Sequence, residues 1–261
     1  MLGLDPDPAR LWPGSGGDVT AHCRAVIDAA GPACVAVKPQ VACFERLGAD
    51  GWQALRATTQ HARAAGLLVL ADAKRGDIDI SAQRYAQAFL ARGGLEADAL
   101  TVSPYLGADS LTPFVDAARA AGAGVFVLVR TSNPGAADLQ DLELADGGRV
   151  WERSAQLVDG LGEAAPASGL SEVGAVVGAT APEHLARARE LMPRSVFLLP
   201  GIDAQGGHVE DLAPAFAPGR AAGLVTSSRS IVFAHERDGG DPGGAARAEA
   251  ERLRDAAWAL A

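Results

Sequence analysis

Four charged residues at close spacing could carry proton-transfer chemistry. The segment 72–77 reads Asp-Ala-Lys-Arg-Gly-Asp, with carboxylates at Asp72 and Asp77 and an ammonium group at Lys74. Side chains alternate along a strand, so Asp72 and Lys74 are expected to point to the same side. Lys38 ends the preceding apolar run and should neighbour Asp72. Such alternating charges either keep both ammonium groups charged and fixed in a partly dry pocket or form an ordinary ion-pair cluster at the surface.

Lysine is rare in this chain, which makes the position of each lysine informative. Lys38 and Lys74 are the only lysines among 23 basic residues in a sequence of 261, and the others are arginines. Codon usage can explain the rarity but not the places where the two lysines remain. Arginine is a fixed cation, whereas lysine can release a proton and take it back. Each lysine is therefore a candidate proton carrier.

Two loops rich in glycine and serine could bind a phosphate group. One begins at Pro200 and runs through Gln205 to a Gly-Gly pair, and the other contains Ser228 and Arg229. Glycines expose backbone N–H groups, a following short helix directs its N-terminus at the anion, and Arg229 can bind two oxygens at once. The alternative is that these glycines only form turns. Because both loops follow late apolar runs, where barrels often bind phosphate, we expect a phosphate site.

Other kinds of catalytic or metal site find little support. The five histidines, including His22, form neither an H-E-x-x-H motif nor a cluster with carboxylates, so surface positions are expected for them. The sequence contains no G-x-S-x-G or G-x-x-x-x-G-K-[ST] motif, which argues against α/β-hydrolases and P-loop proteins. Ser132 follows an apolar run and could bind a substrate, although a plain turn is the alternative. The four tryptophans are expected to be packing residues.

The candidate residues follow a regular alternation of apolar runs and helical patterns. The apolar runs are Gly3-Leu4, Ala33–Val37, Leu67–Ala71, Ala97–Val102, Val125–Val129, Val173–Val177, Val196–Leu199 and Ala222–Val225. The helical patterns are Trp52–Ala65, Ser81–Arg92, Thr112–Ala121, Val150–Leu161, Pro182–Leu191 and Ala245–Leu260. This order predicts an α/β fold of parallel strands, a (β/α)8 TIM barrel that forms a single domain over residues 1–261.

A doubly wound open sheet is the alternative fold, but the turn after the first apolar run lacks the G-x-G-x-x-G pattern typical of that fold. In a barrel the active site lies at the C-terminal ends of the strands. The residues that end the apolar runs would then belong to one site; they include Asp5, Lys38, Asp72, Ser132, Pro200 and Arg229.

Composition and charge limit the classes of partner. With 48% hydrophobic and 21% charged residues, the chain is typical of a globular protein. A net charge of −9 and the lack of a basic stretch argue against nucleic acid or an anionic membrane as partner. Three cysteines without a C-x-x-C pair indicate a reduced, cytoplasmic protein with structural thiols. The sequence has no signal-peptide pattern and no apolar run of the roughly 18 residues that a membrane span needs.

Motifs along nearly the whole chain resemble those of the orotidine 5′-phosphate decarboxylase family, in the branch that carries D-A-K-R-G-D. The segments that carry the resemblance are LGLDPDP, VKPQVACFE, DAKRGDI, TSNPGAADLQDLELADG, VVGAT, LLPGIDAQGG and SSRSIVFA. The combination is specific, whereas D-x-K-x-x-D alone is shared with metal-dependent relatives. Asp203 stands where the family usually has glycine and would add a negative charge near the phosphate.

The resemblance implies an enzyme that converts orotidine 5′-monophosphate to UMP in de novo pyrimidine synthesis, with no metal and no cofactor. Lys74 would give a proton to C6 of the pyrimidine, and Asp72 would lie against the departing CO₂ group. Lys38 and Asp77, with Asp5 beside them, would reach the ribose hydroxyls. The remaining substrate-binding residues would be Ser132 at the pyrimidine ring, Gln205 and Arg229 at the phosphate, and Pro200 and Ser228 in the same two loops.

The resemblance also implies a homodimer with shared sites. In the family, the segment that matches Asp77, Ile78 and Ser81 enters the site of the neighbouring subunit. Two other functions stay open: a metal-dependent aldolase or decarboxylase of sugar phosphates on the same barrel, and a non-catalytic protein that binds a phosphate ligand. Metal-dependent relatives carry a glutamate ligand where this chain has Lys38, and a cation there would repel a divalent metal.

Overall fold

The computed structural model describes residues 1–179, 183–202 and 206–260. The strands within these residues are β1 (Leu2–Leu4), β2 (Ala36–Pro39), β3 (Leu68–Arg75), β4 (Ala99–Val102), β5 (Gly124–Arg130), β6 (Ser171–Val177), β7 (Ser195–Pro200) and β8 (Gly223–Thr226). They form one sheet in chain order from β1 to β8, and the recorded strand pairings are parallel. This strand order is that of a (β/α)8 barrel, so the predicted α/β fold class is confirmed.

Between β7 and β8 lie 3₁₀ turns at Val209–Phe216 and Arg220–Ala222, and α-helices alternate with the other strands. Those in the described residues are α1 (Val19–Ala30), α2 (Val41–Glu45), α3 (Gly48–Ala64), α4 (Asp79–Leu90), α5 (Ala108–Ala121), α6 (Val150–Leu161), α7 (Glu183–Leu191), α8 (Arg229–Val232), α9 (Ala234–Asp238) and α10 (Pro242–Trp258). None of the helices in this part of the chain combines the length and the apolar character that a membrane span requires.

Several boundaries differ from the sequence-based expectation, and the differences affect the site. The second strand begins at Ala36 rather than Ala33, because Gly31–Ala33 forms a 3₁₀ turn around Pro32. The third strand continues past Ala71 to Arg75, so Asp72 and Lys74 lie within a strand rather than after one. The sequence pattern also missed helix α1, which begins where Asp18 accepts a hydrogen bond from the N–H of Thr20 at 2.7 Å.

One compact unit of the chain comprises Met1–Ala73 and Thr226–Ala256. Its core contains side chains with no exposed surface, among them Leu2, Ile27, Phe44 and Leu55. Burying each such side chain contributes about 1.5–3 kcal/mol. In the same unit the loop after β1 is tied to the segment after β8, because the indole N–H of Trp12 donates to the carbonyl of Val232 at 2.8 Å.

The second compact unit comprises Lys74–Val225 and the chain end from Ala257. Its core includes Leu100, Phe114 and Phe197. The buried guanidinium of Arg189 donates to backbone carbonyls at four residues, Met192, Ser195, Ala215 and Ala222. It also stacks over Phe197, and burial lowers its pKa to about 10. These bonds hold the starts of β7 and β8, the strands that precede the two predicted phosphate loops. The single-domain organisation expected for residues 1–261 stays a prediction.

Candidate active site

A buried ion pair joins the ends of β2 and β3. Lys38 Nζ lies 2.6 Å from Asp72 Oδ2, and both side chains are 7% exposed. The parallel register that pairs Val37 with Val69 brings these two strand ends together, as the strand order predicted. Removing two charges from water is costly, and only close pairing with further hydrogen bonds offsets that cost. The two charges are therefore paired at buried strand ends and do not form a solvent-exposed surface cluster.

Gln40 adds a second donor to the same carboxylate oxygen. Its Nε2 donates to Asp72 Oδ2 at 3.2 Å, and its backbone N–H donates to the carbonyl of Leu4 at 2.9 Å. Gln40 and Asp72 also form a parallel β-bridge. The motif VKPQVACFE contains Gln40, but the sequence alone shows no role for it. The available signal was its spacing, two residues beyond Lys38 and directly after β2.

Lys74 lies near the end of β3 with an unusual backbone conformation. Its φ of 48° is in the left-handed region, which residues with a Cβ seldom adopt. Its backbone N–H donates to the hydroxyl of the buried Thr101 on β4 at 2.9 Å, and its side chain is exposed. Backbone strain of this kind costs about 1–3 kcal/mol and is often found at functional sites. Because the backbone is left-handed here, simple strand alternation does not fix the direction of the Lys74 side chain.

The loop after β3 carries the other residues predicted to act near Lys74. Asp77 is half-buried, and its Oδ1 accepts the N–H of Ile78 at 2.8 Å. Ile78 is 50% exposed, and Ser81 is exposed in the first turn of α4. All three lie in the unit that begins at Lys74. The exposure of Ile78 and Ser81 leaves these two residues accessible to a ligand or to another subunit.

Asp5 and Arg229 line one small cleft in the unit formed by Met1–Ala73 and Thr226–Ala256. The cleft also includes Ser228, which lies at the N-cap of the one-turn helix α8. Asp5 and Arg229 are exposed, so their charged groups are open to a ligand. Gly3, whose role the sequence alone does not show, allows Ser228 to approach β1 closely. A Cβ at Gly3 would overlap the hydroxyl of Ser228.

Ser132 and Pro200 lie at the ends of β5 and β7 in the unit of Lys74–Val225. A close approach at Gly178 positions Ser132, because a Cβ there would lie 2.9 Å from the Cα of Ser132. Pro200 accepts the N–H of Ala179 through its carbonyl at 2.9 Å. Asp203 and Gln205, which the sequence places in the phosphate loop, lie outside the described residues. The proposed phosphate contact of Gln205 therefore stays a prediction.

The prediction of surface positions for the histidines is wrong for His22. This residue is 3% exposed, and its Nδ1 accepts the backbone N–H of Trp12 at 3.0 Å. Burial lowers the pKa of the His22 imidazole, which keeps Nδ1 unprotonated as the bond requires. The prediction of packing roles for the tryptophans is also wrong in part, because Trp52 and Trp258 are 40% and 60% exposed.

The cysteine of α1 matches the expectation of a structural thiol. Cys23 has no exposed surface, and burial raises its pKa to about 12, so the thiol stays protonated and unreactive. Within the described residues, no group of three or more histidine, cysteine or acidic side chains is placed to hold a metal ion.

Comparison with known proteins identifies the family of this chain. The family model described as "Orotidine 5′-phosphate decarboxylase / HUMPS family" matches residues 1–247. The chain belongs to that family. It is 48% identical over 225 residues to orotidine 5′-phosphate decarboxylase of Rhodopirellula baltica, covering 84% of this chain and 74% of that protein.

Solved structures of orotidine 5′-phosphate decarboxylase family proteins are similar in fold as well. One, from Streptomyces avermitilis and described as a candidate orotidine 5′-phosphate decarboxylase, has a TM-score of 0.84 and 36% identity, covering 99% of this chain and 90% of that one. The UMP synthase of Leishmania donovani has a TM-score of 0.78 and 36% identity over 98% of this chain. The present chain spans 53% of that longer protein.

Proposed function

We propose that this protein removes CO₂ from orotidine 5′-monophosphate to give UMP, in de novo pyrimidine synthesis. The observation that carries the proposal is the buried Lys38–Asp72 ion pair in a chain that matches the decarboxylase family over residues 1–247. Lys38 also distinguishes the chain from metal-dependent relatives, since an ammonium group held by Asp72 would repel a divalent metal at that place.

The decarboxylation breaks one C–C bond and forms one C–H bond at C6. The bond between C6 and the carboxylate carbon breaks, CO₂ leaves, and the electron pair stays on C6. No imine or cofactor takes up these electrons, so a fixed ammonium group must stabilise them. In this proposal Lys74 provides that charge and then transfers a proton to C6, and the neutral amine regains a proton from solvent. Arginine could supply the charge but would not readily supply the proton.

The other residues bind the substrate away from the bond that breaks. Asp72 lies against the carboxylate that departs, while Lys38, Asp77 and Asp5 reach the ribose hydroxyls. Ser132 hydrogen-bonds the pyrimidine, and the phosphate end is bound by Pro200, Gln205, Ser228 and Arg229. Binding energy from the phosphate can hold the charged groups in place, because it is remote from the reacting atoms.

The active form is proposed to be a cytoplasmic homodimer of one catalytic domain spanning residues 1–261. Exposed apolar side chains after β3 and after β4 support an interface there: Ile78 is 50% exposed, Ile80 66%, Tyr105 77% and Leu106 47%. A dimer interface would remove this apolar surface from water. In the dimer, Asp77, Ile78 and Ser81 enter the site of the neighbouring subunit. No nucleic acid or membrane partner is proposed, given the net charge of −9.

The test follows the loss of orotidine 5′-monophosphate absorbance with purified protein, in the presence and absence of a metal chelator. Equal turnover under both conditions is expected. Loss of activity with the chelator would favour a metal-dependent enzyme instead. Stoichiometric binding of UMP without turnover of orotidine 5′-monophosphate would show a binding protein and overturn the proposal.

A further inference from the structure

We infer that Gln40 is a positioning residue for the decarboxylation: its side-chain amide fixes the rotation of the Asp72 carboxylate. This inference rests on the proposed function and adds a residue to its machinery. Gln40 need not touch the substrate to act. Its effect would pass through Asp72, the carboxylate proposed to lie against the departing group.

The geometry at the Asp72 carboxylate supports this role. Lys38 Nζ and Gln40 Nε2 donate to the same oxygen, Oδ2, at 2.6 Å and 3.2 Å. Two donors on one oxygen restrict rotation of the carboxylate about its Cβ–Cγ bond and thereby help to set the direction of Oδ1. A carboxylate only accepts hydrogen bonds, so the NH₂ end of the Gln40 amide must face it.

The backbone of Gln40 is itself anchored on both sides. Its N–H donates to Leu4 at the end of β1, and the residue forms a parallel bridge with Asp72 on β3. In a parallel ladder alternate residues bond to the same neighbouring strand, and the bond from Gln40 to Leu4 continues the ladder between β2 and β1. Gln40 therefore connects the strand ends that lead to Asp5, Lys38 and Asp72, and its side chain starts from a fixed position.

An amide suits this place because it is neutral. Lys38 and Asp72 together carry no net formal charge. A second cation in place of Gln40 would add a positive charge to that pair, and a carboxylate would repel Asp72. The amide supplies a hydrogen bond without changing the balance, and a bond to a charged group is stronger than one between neutral groups.

The test compares Gln40→Met with Gln53→Met in the full-length protein. Methionine keeps the length of the side chain but lacks the NH₂ donor, and Gln53 is an exposed residue of α3 in the same compact unit. We expect kcat of Gln40→Met to fall roughly 10- to 100-fold, the range for loss of one hydrogen bond to a charged group. KM should change by less than about threefold. UMP has no carboxylate at C6, so its affinity should match that of the control.

A second variant separates positioning from structural support. In Gln40→Glu the new side chain repels Asp72 when ionised and can donate an O–H when protonated, so kcat relative to wild type should rise as pH is lowered from about 8 to about 5. Overturning results would be a rate equal to that of Gln53→Met, a wild-type pH profile in Gln40→Glu, or equal losses of kcat and UMP affinity. Inactive wild-type protein would instead refute the proposed function.

Discussion

Lys38 Nζ and Asp72 Oδ2 lie 2.6 Å apart at the ends of β2 and β3, in a place where each side chain is only 7% exposed. A buried pair of this kind offers little net stability, because the desolvation of two charges offsets their attraction. Its presence at the strand ends is therefore better explained by catalysis than by folding. The pair fixes a carboxylate and an ammonium group in a partly dry place.

Breaking this pair on one side should destabilise the protein more than removing both charges. Asp72→Leu leaves the buried ammonium of Lys38 without its partner, and we expect a loss of about 3–5 kcal/mol in the free energy of unfolding. The double variant Lys38→Met/Asp72→Leu should lose less than Asp72→Leu alone. Urea unfolding of both variants measures this. If the double variant were less stable than Asp72→Leu alone, the unpaired Lys38 charge would not be the cause of the destabilisation.

The left-handed backbone at Lys74 should lower the stability of the protein at a residue that activity requires. At a φ of 48°, glycine avoids the clash that a Cβ causes, so Lys74→Gly should be about 1 kcal/mol more stable than Lys74→Ala. Both variants should lack activity. The matched control is Ala73→Gly, at a neighbour without positive φ, where glycine should lower stability. A melting temperature of Lys74→Gly equal to or below that of Lys74→Ala would contradict backbone strain at this position.

The buried His22 should make stability depend on pH. Its pKa is lowered by burial in the folded state, so between the folded and unfolded values the unfolded chain binds more protons. The contribution is complete above the unfolded value of about 6.5 and is lost as pH falls below it. In His22→Asn, whose amide oxygen can still accept the Trp12 N–H, unfolding measured from pH 7 to 5 should show a smaller loss. The exposed His208→Asn serves as the control, with wild-type slope. Equal slopes in all three proteins would contradict this prediction.

Shared sites in a homodimer predict recovery of activity by mixing two inactive variants. Lys74→Ala removes the proton donor of its own site, and Asp77→Ala removes a group proposed to serve the neighbour's site. A mixed dimer then contains one intact site, so an equal mixture after subunit exchange should regain roughly a quarter of wild-type activity. No recovery, despite subunit exchange shown by a tag on one variant, would place Asp77 in the same site as the Lys74 of its own subunit.

The strand order and the Lys38–Asp72 contact could be predicted from the sequence, because strand ends in a parallel barrel meet at one edge. The contact between Gln40 and Asp72 could not, since an amide near a strand end is common and only the structure shows that it reaches Asp72. The conformation of Lys74 could not be predicted either, because a positive φ in a residue other than glycine is set by the surrounding structure. The burial of His22 could not be predicted, because helix α1, which buries it, does not stand out in the sequence pattern.

The most direct test of the account measures release of labelled CO₂ from orotidine 5′-monophosphate that carries the label in its C6 carboxylate. Wild-type protein without added metal should release CO₂ in step with UMP formation. Lys74→Ala should release it roughly a thousandfold or more slowly, since one group supplies both the charge and the proton, while Arg84→Ala on the exposed face of α4 should match wild type. No release by the wild type, or comparable release by Lys74→Ala, would contradict the account.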